Sequence, residues 1–259
     1  MQNKTEEKKS STATVLADDG FYFGIGAFET IAVEDGVPQL LDWHLERLRK
    51  SLAFFGIAQN VKEQEVLAYL NICPQSEEKQ HGALKITVTA ENKLFALRKN
   101  TYTKEQYQTG FRLGISEIRR NETSPITYHK TLGIADNIME KRNARKSGLD
   151  EKIFLNQKGQ ISEGCTTNIF FIQGNRLVTP PVSSGMLPGV MRRYIIEEAG
   201  RRGVLLEEKE LYPEETDQFD GCFVTNSLLG VMPAASFEEQ KFDTAKVLRF
   251  MEKFHYKLQ

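Results

Sequence analysis

Apolar and polar positions recur in readable periods along most of this chain. A mostly apolar, β-compatible run over residues 28–33 ends at Glu34-Asp35-Gly36 and resumes over 37–41, the pattern of a hairpin around an Asp-Gly turn. Trp43, Leu45, Leu48, Leu52 and Phe55 then follow at helical spacing with charges between them. That spacing predicts a helix over 42–55, with Asp42 as its N-cap and Gly56 as its stop. A second helix is expected over 62–70, a polar stretch over 74–80, and strands over 83–90, 95–97 and 111–118. The mixture lacks the regular βαβ alternation of a doubly wound parallel sheet.

After Ser124-Pro125, a polar segment holding Lys130 leads into a helical stretch over 134–146 that stops at Gly148. Strands are expected over 152–156 and 168–172, with turn signals at Lys158-Gly159 and Gly174-Asn175. Pro188-Gly189 opens a helix that runs to Gly200; residues 222–225 form a short β run, and Asn226-Ser227 breaks it. A terminal helix over 244–254 has Asp243 as its candidate cap. The chain therefore reads as a mixed α/β (α+β) fold in two parts, residues 1–123 and 124–259, with a cleft where they meet.

Composition narrows the partner. Across 259 residues, 34 Lys plus Arg nearly balance 35 Asp plus Glu, and a net charge of -1 leaves no electrostatic footprint for nucleic acid or an acidic membrane. A small molecule is the expected partner. Cys73, Cys165 and Cys222 have no paired spacing, so neither a disulfide framework nor a zinc site is implied and the reducing cytoplasm fits. Residues 1–11 are Lys/Glu-rich rather than a signal core, and no apolar run reaches the ~20 residues of a membrane span. Four histidines show no metal-ligand spacing, and Gly24-Ile25-Gly26 precedes a strand where a dinucleotide fingerprint needs a helix.

Lys130 lies in Thr127-Tyr-His-Lys-Thr-Leu-Gly133, between a Pro-marked loop and a helix. Partial burial there would lower its pKa and make its amine a better nucleophile toward an aldehyde; an arbitrary lysine is a solvated surface charge. Glu163, in Ile161-Ser-Glu-Gly164 between apolar strands, needs a cationic partner if buried and is otherwise a turn carboxylate facing water. Arg47 either turns inward beneath the apolar helix face or snorkels to water. Gly189-Val190-Met191 is an ordinary helix start, or one whose open N–H groups receive a phosphate. Asn226-Ser227 is a common turn, or a hydroxyl donor to the same anion.

Taken together, six stretches in order resemble the fold-type IV pyridoxal-phosphate family, over nearly all the chain after Asp18. They are Gly24-Ile-Gly-Ala-Phe-Glu-Thr-Ile31, His44-Leu-Glu-Arg-Leu48, His129-Lys-Thr-Leu132, Ile161-Ser-Glu-Gly164 with Asn168, Leu187-Pro-Gly-Val-Met-Arg192, and Thr225-Asn-Ser-Leu-Leu-Gly-Val-Met-Pro233. The resemblance implies pyridoxal 5'-phosphate bound as a Schiff base on Lys130 between two α/β domains, usually in a homodimer. It implies Glu163 as partner of the pyridine nitrogen. Arg47, the Val190 and Met191 amides and the Ser227 hydroxyl would hold the phosphate.

Within that family, residues 226–233, Lys130-Thr131-Leu132 and Thr30 look like the 4-amino-4-deoxychorismate lyase branch of folate biosynthesis. Aminotransferases acting on D- or branched-chain amino acids are the alternative. Lyase chemistry implies proton removal by Lys130, assistance from Thr30, and cations such as Arg98, Arg119 and Arg120 to meet two substrate carboxylates. The sequence departs from the family at its start, where residues 1–12 read as disordered, and at Ile25, where many lyases carry Asp.

Overall fold

The computed structural model describes residues 14–252 and 254; the expectation of disorder over 1–12 lies outside them. The first part opens with a short helix, α1 (Asp19–Phe23), and builds an antiparallel sheet in the order β2-β1-β3-β4. Its strands are β1 (Ala27–Glu34), β2 (Val37–Pro38), β3 (His81–Val88) and β4 (Lys93–Lys99), with helices α2 (Leu41–Phe54), α3 (Glu63–Ile72) and α4 (Glu77–Gln80) between β2 and β3. Strand alternation divides β1 into two faces. Ala27, Ile31 and Val33 pack with Leu45, Leu48 and Leu52 of α2 in one apolar core, while Phe28 and Thr30 face a cleft.

The hairpin is shorter than its pattern suggested. Strand β2 stops at Pro38, whose ring nitrogen has no N–H to continue the ladder, and Leu40 turns into the left-handed region at φ 51°. Leu40, not Asp42, is the N-cap of α2; Asp42 sits in the first turn, where its charge complements the helix dipole. Burial of Leu41 draws the helix start back toward the core.

A second, nine-stranded mixed sheet follows. Its elements are α5 (Lys104–Thr109), β5 (Phe111–Arg120), α6 (Ala135–Lys146), β6 (Glu151–Asn156), β7 (Ile161–Gly164), β8 (Asn168–Gln173) and β9 (Arg176–Thr179). Then come α7 (Val190–Arg201), β10 (Leu206–Glu208), β11 (Gly221–Asn226), β12 (Gly230–Phe237), β13 (Gln240–Lys241) and α8 (Thr244–Glu252). The strand order is β10-β9-β8-β11-β12-β5-β6-β7, with β13 on β12. Strand β8 reads as a continuous apolar run because both its faces are covered. Ile169 and Phe171 enter one core, and Phe170 and Ile172 enter another beneath α7 and α8. Asp243 caps α8 as expected, accepting the Ala245 N–H at 2.9 Å.

Hydrogen bonding changes sheets between Lys99 and Phe111, ahead of the division expected at 123/124. Strand β5 pairs in parallel with β12 and β6, partners far away in sequence, so no local pattern reveals which sheet it joins. Helix α5 was also missed, although Thr103 and Gln106 form a capping box that is visible in the sequence. No helix among the described residues is long and apolar enough to cross a membrane.

Candidate active site

A cavity of about 910 Å³ opens between the two sheets, and it brings together Lys130, Thr30, Glu163, Arg47, Val190, Met191 and Ser227. Lys130 arrives on a segment docked against the start of β1. Its carbonyl accepts the Phe28 N–H at 3.0 Å, Leu132 N–H returns to the Gly26 carbonyl at 3.0 Å, and Ser51 Oγ of α2 accepts the Lys130 N–H at 3.3 Å. Gly26 is required by this approach, since a Cβ there would lie 2.7 Å from the Val88 carbonyl oxygen and 2.8 Å from Leu132. The Lys130 amine hangs 4.4 Å from the centre of the Phe28 ring. Burial, and then the nearby Arg47 cation, hold its pKa down at about 8, with Glu29 and Glu163 opposing. A large neutral fraction near pH 8 makes this amine a nucleophile and a base.

Glu163 projects from β7 and is buried. Its Oε2 accepts the Leu187 N–H at 3.1 Å, and Oε1 pairs with Arg120 Nη2 at 3.0 Å. Burial pushes this carboxyl up to about 7, against the pull of Arg120 and the Leu187 N–H. Arg120 in turn stacks 4.2 Å from the centre of the Phe154 ring. Thus Arg120, counted from sequence among cations for substrate carboxylates, is engaged by Glu163. Arg98 and Arg119 are exposed at the cavity wall.

Arg47 turns inward and is 12% exposed. Its Nε and Nη2 each donate to Glu29 at 2.7 Å, and Nη1 reaches the Pro188 carbonyl at 3.3 Å, just before α7. No side chain caps α7; Gly189 is its N-cap, and a Cβ there would fall 2.0 Å from Asn168 Oδ1. Asn168 holds the approach by donating to the Leu187 carbonyl at 3.0 Å. At the β11–β12 turn, Asn226 Oδ1 accepts the N–H groups of Leu228 and Leu229, both at 2.9 Å, and Ser227 is left at the cavity wall. The hydroxyls of Thr225 and Thr167, also in this wall, are buried with no hydrogen-bond partner. An uncapped helix start, a cation and orphaned hydroxyls lining one cavity suit an anion such as a phosphate, and a buried carboxylate in the same cavity as a low-pKa amine suits a protonated pyridine aldehyde.

The family model for class IV amino-transferases matches residues 26–237. The chain belongs to the class IV aminotransferase family. Members of this family are enzymes that use pyridoxal 5'-phosphate, and the residues above fit that group. The class IV chain is 31% identical over 241 residues to the aminodeoxychorismate lyase of Bacillus subtilis, covering 87% of this chain and 82% of the relative. It is 27% identical over 252 residues to the D-alanine aminotransferase of Bacillus licheniformis, covering 90% and 86%. Among solved structures, 4-amino-4-deoxychorismate lyase of Pseudomonas aeruginosa superposes with a TM-score of 0.82 at 25% identity, covering 93% of this chain and 96% of that one. The branched-chain amino acid aminotransferase of Escherichia coli shares the fold at a TM-score of 0.80 and 20% identity, covering 97% and 90%.

Sequence reasoning did not single out Glu29, Lys85 or the hydroxyls of Thr167 and Thr225, and it did not pair Arg120 with Glu163. Glu29 had a visible signal, a carboxylate in the otherwise apolar row Ala27, Ile31, Val33. The others depend on which strands pair. Lys85 of β3 pairs directly with Thr30 of β1, with its ammonium 5.0 Å from the centre of the same Phe28 ring that Lys130 approaches.

Proposed function

We propose that this chain is a pyridoxal-phosphate-dependent 4-amino-4-deoxychorismate lyase that releases pyruvate and leaves 4-aminobenzoate for folate biosynthesis, working as a homodimer in the cytoplasm. The observation that carries the reading is the juxtaposition of Thr30, Lys85 and Lys130 around Phe28: a hydroxyl, a lysine cation and a basic amine at one spot. The 31% identity to a lyase over most of the chain supports it. So do the cations Arg98, Arg119 and Arg145 in the same cavity wall, which suit a substrate with two carboxylates.

When bound, the cofactor supplies an electron sink for the charge left as a bond to the amine-bearing carbon breaks. Lys130 would hold it covalently at rest and, once released by the substrate amine, take the proton from that carbon. Glu163, whose raised pKa is drawn back toward the ionised form by Arg120, would pair with the ring nitrogen, while Arg47, the Val190 and Met191 N–H groups and Ser227 would hold the phosphate. Thr30, on the cleft face, would donate a proton toward the departing enol oxygen, and Lys85 would anchor a carboxylate. Phe28, Leu187 and Met191 add apolar surface to the cavity lining.

Pyruvate release from 4-amino-4-deoxychorismate with no oxo acid present tests the proposal. Many turnovers per site are expected. A single turnover of bound cofactor to its amine form with an amino acid, without pyruvate from the chorismate derivative, would make the chain an aminotransferase instead.

A further inference from the structure

One carboxylate of this site lies in the wrong solvent for its charge. Glu29 points from β1 into the apolar core under α2 and is fully buried, between Ile31 and Ala27 on the same strand face. An unpaired carboxylate there would be too costly to keep. It is satisfied from one helix face: His44 Nδ1 lies 2.7 Å from Oε2, and Arg47, one turn on, donates Nε to Oε1 and Nη2 to Oε2, each at 2.7 Å. Burial alone would raise the Glu29 pKa, but Arg47 and His44 hold it down at about 2. His44 is driven toward its neutral form, chiefly by burial. The cluster is then a carboxylate and a guanidinium clamped on two points, with a neutral imidazole as the third support.

We propose that Glu29 is the positioning residue for anion binding in this cavity: its buried carboxylate fixes the Arg47 guanidinium in the one pose from which it can hold the cofactor phosphate. The proposal rests on the reading of Arg47 as the phosphate anchor. Two effects of Glu29 on an anion oppose each other. Its charge offsets part of the attraction of Arg47, and its two hydrogen bonds remove the rotamer freedom of a long side chain. Orientation wins. A neutral amide in place of the carboxylate would set an NH2 against a guanidinium N–H and expel Arg47 from the pose, and the third donor edge, at 3.3 Å from the Pro188 carbonyl, would leave the start of α7 with it.

The test compares binding of pyridoxal 5'-phosphate with binding of pyridoxal, which lacks the phosphate, by absorbance and fluorescence titration of the full-length apoprotein. Glu29→Gln is expected to weaken the phosphorylated form about tenfold or more while changing pyridoxal by less than about twofold. Added to Arg47→Met, it should cost nothing further, because the two residues act as one unit. Equal weakening of both compounds, or unchanged or tighter binding of pyridoxal 5'-phosphate, would overturn the proposal. If Arg47→Met itself leaves the preference for the phosphorylated compound intact, the reading of Arg47 as anchor fails, and Glu29 positions nothing. Should Glu29→Gln fail to fold, Arg47→Lys carries the test. It keeps the charge but loses the two-point hold, and should lose as much of the phosphate preference as Arg47→Met; retention of that preference overturns the proposal.

Discussion

The amine of Lys130 owes its chemistry to its surroundings. A solvated lysine is almost wholly protonated at neutral pH, whereas burial beside Phe28 and near the Arg47 cation brings this one to about 8. A group lowered in this way favours its neutral form in the folded protein, so reactivity rises as pH climbs through its pKa. Adduct formation between the apoprotein and pyridoxal should accelerate between pH 7 and 8.5 and level off near 9, with a midpoint near 8, followed as growth of the near-visible band. Lys130→Ala should remove the band. A midpoint near that of free lysine would mean that the side chain is solvated. Sequence made Lys130 legible through its setting in His129-Lys-Thr-Leu132, but not the depth of its pocket. That depth comes from Phe28, over a hundred residues back in the chain, docked by the Gly26–Leu132 and Phe28–Lys130 hydrogen bonds.

At the scale of elements, the start of α7 depends on a glycine for a tertiary reason. Pro188-Gly189 was legible as a helix start, because proline cannot donate an N–H and serves just before or at the first turn. The need for glycine was not legible, because it arises from Asn168 on β8, whose Oδ1 occupies the place a Cβ would take. The amide of Asn168 is held by the Leu187 carbonyl, so it yields little. Gly189→Ala should therefore cost about 1–3 kcal/mol of stability by overpacking and weaken pyridoxal 5'-phosphate more than pyridoxal. Thermal melts and the same paired titrations check both effects. Gly203→Ala is a poor control, since its φ of 66° strains any side chain; Gly200→Ala, with open space around its Cβ on α7, is the suitable one and should be neutral or slightly stabilising.

For the whole molecule, the decisive feature is a cleft with cations on both walls. Lys85 and Arg98 come from the first sheet, and Arg119 and Arg145 from the elements of the second. The net charge of -1 does not reveal this concentration, because it sums over the whole chain; Asp136, Asp150 and Glu163 line the same cavity. The Lys85→Met/Arg98→Met pair should raise KM for a dicarboxylate substrate about tenfold or more, with a smaller change in kcat, and should flatten the dependence of kcat/KM on salt. An unchanged KM would place the substrate carboxylates elsewhere.

The sequence by itself determined where most helices and strands lie and which short stretches resemble the family, because periodicity, caps, turn residues and short motifs are local properties of a chain. It set Lys130, Glu163, Arg47 and the 189–191 helix start apart from their neighbours for the same reason. What only the tertiary structure decided depends on distant pairing. It includes the joining of β5 to β12 and β6, the ion pair between Arg120 and Glu163, and the placing of Lys85 opposite Thr30. It also explains the one carboxylate in an apolar strand face: Glu29 is tolerable in the core only because α2 brings His44 and Arg47 onto it, a contact that no local pattern encodes.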